Sequence, residues 1–158
     1  MIVTLPDLPM NEEGQVKRPL ILLVGSTGDW QVGVARTLEA KSRGTIVCSD
    51  GLVRGVGGSL GYPPDVILDH FYSVIPIANL VLIWVNQNPV WWWLEMGAWI
   101  SYSHPSDHKF LWGMESGESF HHAGHLRWIL ERGGWPVHST LEDLVTAAGV
   151  GLQERRRG

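Results

Sequence analysis

A chain of 158 residues with 44% hydrophobic and 18% charged residues has the size and composition of one globular domain. Its net charge of -4, with no basic cluster outside Arg155, Arg156 and Arg157, argues against a polymeric nucleic-acid partner. One cysteine, Cys48, excludes an internal disulfide. Acidic Asp7, Glu12 and Glu13 stand where a signal peptide is basic and then apolar, and no run reaches the roughly 20 apolar residues of a membrane span. A cytoplasmic protein without membrane association is expected.

Residues 1–18 mix prolines, acids and Gly14 without period and read as a loose leader. Leu20–Val24, closed by Gly25, is the short apolar run of a strand buried on both faces. Trp30, Val34 and Leu38 then recur at helical spacing, with Asp29 as N-cap and Gly44 as C-terminal stop. Thr45–Cys48 is a second strand. After Asp50 comes a loop with glycines at 51, 55, 57, 58 and 61, read either as a mobile lid over a ligand or as a plain surface loop. Asp65–Ile77 is predicted helical, with Pro76 ending or kinking it, and Leu80–Val85 is a buried strand leaving through the turn Asn86–Pro89. Trp92–Tyr102 reads as a helix, Lys109–Trp112 as a strand, and His121–Arg132 as a helix stopped by Gly133-Gly134. Trp135–Val137 reads as a short strand and Ser139–Ala148 as a helix opened by a Ser139/Glu142 capping box and closed at Gly149, with residues 150–158 a tail.

This alternation predicts right-handed βαβ units and a doubly wound α/β domain over residues 19–149, with five parallel strands and helices on both faces, Rossmann- or flavodoxin-like. In such sheets ligands bind beyond the carboxyl ends of the strands. That places residues 25–30, 48–54 and 86–95 around one crevice.

Among these residues Glu95 stands out: an acid in the first turn of the predicted helix that follows the best strand, amid apolar neighbours. The helix N-terminus favours its ionised form and the apolar neighbours oppose it. The position suits a nucleophilic carboxylate, and equally an acid that satisfies free N–H groups at a helix start. Nine tryptophans are many for this length, and Trp91, Trp92 and Trp93 are consecutive. Three successive helical positions fan across roughly 200°, so they cannot share one core face. Stacking on a ligand and packing in a homo-oligomer remain equally open uses. His104/His108 and His121/His125 have i, i+4 spacing without the carboxylate of a zinc motif, so no metal site is expected. Gly57–Gly61 matches G-x-S-x-G but lacks the strand–turn–helix context of a nucleophile elbow.

Gly25-Ser26 with Asp29-Trp30-Gln31, then Ala78-Asn79 through Trp84, then Leu94-Glu95-Met96-Gly97-Ala98, together resemble the nucleoside 2-deoxyribosyltransferase family over roughly residues 20–148. The resemblance implies cleavage of an N-glycosidic bond through a covalent glycosyl ester on Glu95, the sugar passing to a second base or to water, with no cofactor. It implies that Gly25 and Ser26 approach the substrate, that Asp50 contacts the base, that Asp69 protonates or orients the leaving base, and that subunits of a homo-oligomer complete one another's sites. Asp29, Trp30, Asn86, Trp92 and Gly97, in the same loops and the helix after the strand Leu80–Val85, are expected to line the substrate site with them. The chain departs from the family at Asn79, Asn86, Asn88 and Pro89, where members carry acids or other residues, and it lacks the family's N-P-R-R-like run after the second strand. Those departures favour, as an alternative, a catalytically silent nucleotide-binding module; a third reading, an NAD-cleaving glycohydrolase on a related fold, is disfavoured because no second, regulating domain is read from the sequence.

Overall fold

The computed structural model describes residues 1–5, 7–8, 13–14, 16–26, 28–51, 63–86, 109–115 and 121–157. They form one parallel sheet of six strands. In chain order the elements are β1 (Ile2–Thr4), β2 (Leu20–Gly25), α1 (Trp30–Lys41), β3 (Thr45–Cys48), α2 (Pro64–Val74) running into a 3-10 turn (Ile75–Ile77), β4 (Leu80–Val85), β5 (Phe110–Met114), α3 (His121–Arg132), β6 (Val137–His138) and α4 (Leu141–Arg157). The strand order is β1-β3-β2-β4-β5-β6, and every neighbouring pair is parallel. This is the doubly wound α/β architecture that the strand–helix alternation predicts, with one strand more than expected.

Side-chain alternation sorts the core into two layers. Leu20, Leu22 and Val24 of β2 and Val81, Ile83 and Val85 of β4 pack with Phe71 and Val74 of α2 and Leu130 of α3. Ile21, Leu23, Leu80, Leu82 and Trp84 face the other way, against Val34, Ala35 and Leu38 of α1 and Leu144, Ala148 and Leu152 of α4. Both central strands are buried throughout, which explains their unbroken apolar runs.

The extra strand lies in the predicted leader. Residues 2–4 pair in parallel with the free edge of β3, Leu5 N–H continues the ladder to the Cys48 carbonyl at 3.0 Å, and Val3 and Leu5 turn inward at 9% and 0% exposure. Three residues between polar and proline-rich neighbours carry too little period to announce a strand; pairing with an existing edge supplies what the pattern lacks. The predicted tail is corrected too. The last helix does not close at Gly149 but runs to Arg157, because Leu152 continues its apolar face onto the sheet and an ideal Cβ at Gly151 would stand 3.6 Å from Leu80.

Helix ends show where local signals hold. α3 ends in the Schellman arrangement at the predicted glycines: Trp135 N–H donates to the Leu130 carbonyl at 2.9 Å, Gly134 N–H to that of Glu131 at 3.1 Å, and Gly134 takes φ +91°. Trp135 and Leu130, the residues flanking that cap, are both buried in the core. At α4 the capping hydroxyl belongs to Thr140, whose Oγ1 accepts from Asp143 N–H at 3.1 Å; Ser139 Oγ instead accepts from Arg127 at 2.9 Å. Asp29 occupies the N-cap of α1 without a side-chain cap bond, its φ of -76° and ψ of -5° being helical and not extended. Gly44 is no left-handed stop: α1 ends at Lys41, and a Cβ at Gly44 would overlap the Pro19 carbonyl. α2 and the 3-10 turn after it cover the predicted helix, with Pro76 inside the turn.

Gly113 of β5 leaves room for the Trp84 ring, since a Cβ there would stand 2.7 Å from Trp84 Cε3 and 3.2 Å from Leu144 Cδ2. Trp84 is only 5% exposed and packs within the core layer that holds Leu144. Gly113→Ala is therefore expected to destabilise the fold by about 1–3 kcal/mol through overpacking, read as a lowered midpoint in urea denaturation at unchanged slope. An unchanged midpoint contradicts this packing.

Candidate functional site

Chain order reverses direction between β2 and β4. From β2 the chain crosses through α1 to β3 on one side, then returns through α2 past β2 to β4 on the other. β2 leads into α1 on one face of the sheet, and the return to β4 runs through α2 on the other, so the carboxyl ends of β2 and β4 flank the topological switch point at which doubly wound sheets bind ligands. Gly25, Ser26, Trp30 and Asn86 meet there, and Asp50 stands one strand away at the exit of β3.

Gly25 has φ +130°, and a Cβ on it would overlap the Trp84 carbonyl oxygen. Only glycine fits both the backbone and the space. Ser26 N–H then donates to that carbonyl at 2.8 Å, extending the β2–β4 ladder by one step, and Asn86 N–H donates to Ser26 Oγ at 2.9 Å. Ser26 is fully buried, so its hydroxyl ties two strand ends together and is not displayed to solvent. Trp30 donates its indole N–H to the Ser26 carbonyl at 2.6 Å, which folds the first loop back over the start of α1. Gly28 lies between them: an ideal Cβ there would be 3.8 Å from Trp30 Cδ1 and 3.9 Å from Asn86 Nδ2. Asp29 is exposed beside this loop, and Asn86 is half-buried.

A second tie joins α1 to the exit of β3. Gln31, at 1% exposure, donates from Nε2 to Ser49 Oγ at 3.0 Å and accepts the Asp50 N–H on Oε1 at 3.0 Å. Ser49 N–H in turn donates to the Leu23 carbonyl at 3.2 Å. Gln31 does not stand among the residues expected from sequence to line the site, and Ser49 enters there only as part of the segment 48–54. The signal for Gln31 is its position: with Ala35 and Leu38 it makes an i, i+4, i+7 stripe, so it points to the core although it is polar.

Asp69 is not brought to this group. It is exposed on α2, five residues beyond Pro64, hence about one and a half turns down from the carboxyl edge, and its carbonyl accepts from Ser73 Oγ at 2.8 Å. Asn79 also lies elsewhere, at the amino end of β4. Its Oδ1 accepts from Leu20 N–H at 2.8 Å and from Arg18 at 3.0 Å, so the departure from the family at this position concerns the opposite edge of the sheet. Glu95, Trp92, Gly97, Asn88, Pro89, the remaining Trp91–Trp99 positions and the loop 52–61 lie outside the described residues. Among the described residues no three or more His, Cys, Asp or Glu side chains gather as a metal site would require, and no helix is long and apolar enough to cross a membrane. A groove of about 540 Å³ between α1 and α4, lined by Trp30, Val34, Thr37, Leu141, Val145 and Thr146, opens along the helix pair, not at the strand ends.

No protein-family model matches the chain, and no curated protein matches it.

Cys48 ends β3 beside this site. Burial, and secondarily the Asp50 carboxylate, push its thiol up from the ordinary 9.0 to about 11. The folded protein thus holds the proton more tightly than the unfolded chain. The stabilisation is fully present below pH 9.0 and is lost as pH rises through about 11, a difference worth roughly 3 kcal/mol. Thiolate absorbance should titrate near pH 11 in the native protein, and labelling by a thiol reagent at pH 8 should wait on unfolding. Prompt labelling under native conditions contradicts the burial.

Proposed function

We propose that this chain cleaves the N-glycosidic bond of a nucleoside or nucleotide, with Glu95 as nucleophile and a second base or water as acceptor. The observation that carries the reading is the switch point between β2 and β4. The Gly25-Ser26 loop and Asn86 meet at that crevice, and the segment holding Glu95 leaves the sheet by the β4 exit. In the proposed reaction the Glu95 carboxylate attacks the anomeric carbon as the bond to the base breaks, giving a glycosyl ester; the acceptor then attacks the same carbon and the carboxylate leaves. The sugar keeps its anomeric configuration.

The second reading, a module that binds nucleotides without cleaving them, is favoured by the departures from the family pattern at Asn79 and Asn86. The bonding of Asn79 withdraws one argument for that module, because its side chain serves the amino edge of the sheet whatever happens in the crevice. Incubation with deoxynucleosides, ribonucleosides, their monophosphates and NAD, with and without an acceptor base, separates the two. Base release supports cleavage, and calorimetric binding without release supports the silent module. Glu95→Gln is expected to abolish release while preserving the fold, and a 2-fluoro-2-deoxy nucleoside should leave a glycosyl adduct on Glu95 by mass spectrometry. Near-native turnover by Glu95→Gln defeats the nucleophile assignment.

Assembly into a homo-oligomer belongs to the same proposal. On α3, Trp128 and Ile129 are 61% and 59% exposed, a large apolar area for a free surface. Light scattering at micromolar concentration should give a mass above that of one chain, and a strict monomer refutes assembly.

A further inference from the structure

We propose that Gln31 is a positioning residue that holds the Ser49-Asp50 segment at the crevice and so sets how tightly the ligand binds. The inference rests on the glycosidic reading for the identity of that ligand, but its structural half stands apart from it. Gln31 occupies a core position of α1, in line with Ala35 and Leu38. Methionine, unbranched and of similar length, is the apolar counterpart of glutamine at such a position. Burying an amide instead is unfavourable unless its polar atoms are bonded, and here both ends are. Both bonds go to consecutive residues of a different element: Nε2 to Ser49 Oγ and Oε1 to Asp50 N–H, each at 3.0 Å.

The base of this tie is itself fixed. The first turn of α1 is anchored by the Trp30 indole on the Ser26 carbonyl at 2.6 Å and by Val34, Ala35 and Leu38 on the sheet. Orientation therefore passes from the β2 exit through Gln31 to the backbone of Asp50. Hydrogen bonds that orient a binding group from behind act through its placement, and loss of them loosens binding before it alters bond-breaking. In the glycosidic reading the nucleophile, Glu95, follows β4 along the sequence, whereas both Gln31 bonds go to the residues after β3. A split follows, with ligand affinity depending on Gln31 and the chemical step not.

The test uses Gln31→Met, which keeps length and apolarity and deletes both bonds, with Gln31→Glu, which still accepts the Asp50 N–H, and Ser49→Ala, which removes only the Nε2 partner. In Gln31→Met, amide hydrogen exchange at Ser49 and Asp50 should quicken roughly tenfold while exchange in α4 stays as in the parent. With the best-cleaved nucleoside of the panel, KM should rise roughly tenfold and kcat should stay within about twofold. Gln31→Glu should restore slow exchange at Asp50 in part. If Gln31→Met does not fold, the exchange comparison is made in Ser49→Ala, where faster exchange confined to residues 49 and 50 supports the tie. Unchanged exchange at Asp50 overturns the proposal, as does an equal fall in kcat and kcat/KM. If the parent protein cleaves no nucleoside, the glycosidic reading fails, and the exchange measurement alone decides whether Gln31 holds the segment.

Discussion

At the exits of β2 and β4 the Cα of Gly25 faces the Trp84 carbonyl with no room for a side chain, and the next N–H of the chain, that of Ser26, closes on the same oxygen at 2.8 Å. The register of the central pair, Gly25 opposite Trp84, carries that contact. A slip of one residue would turn Leu20, Leu22 and Val24 to the α1–α4 face and send Trp84 away from the space that Gly113 leaves for it. Neighbouring strands and both helical layers take their places from this pair, because each strand outside it pairs outward from β2 or β4 in turn. The packing of Leu144 near Trp84 and Gly113 brings α4 into the same arrangement.

The constraint also shapes the crevice. The exits of β3, β2 and β4 are joined by three side chains that are themselves almost fully removed from water: Ser26 to Asn86, Trp30 to Ser26, and Gln31 to Ser49 and Asp50. Buried polar groups in fully bonded chains specify one geometry, and the low local dielectric makes each missing partner costly. The loops that would meet a ligand thus start from fixed points. Trp30 and Ser26 serve that foundation.

Several local signals were legible because they act within a few residues. The two-faced burial of Leu20–Val24 and Leu80–Val85 was written in unbroken apolar runs, and the Gly133-Gly134 stop of α3 in residues that adopt the left-handed region without strain. Signals that depend on a distant partner were not. Val3 and Leu5 are buried only because β3 offers an open edge, and α4 passes Gly149 and Gly151 only because Leu152 finds the sheet. Between adjacent Ser139 and Thr140, tertiary contact with Arg127 takes the first hydroxyl and leaves the second to cap.

The sequence by itself determined the class of fold, the order of strand and helix, the direction of the central strands and the loops from which a crevice is built, since periodicity and turn chemistry are properties of neighbouring residues. Only the tertiary structure decided which polar side chains share a hydrogen bond across the strand exits. It turned Gln31 inward to Ser49 and Asp50, set Asn79 at the amino edge under Leu20, and left Asp69 on an exposed face of α2. The physical reason is that such pairs are separated by tens of residues along the chain, so their partners exist only once the sheet has brought the strand ends together.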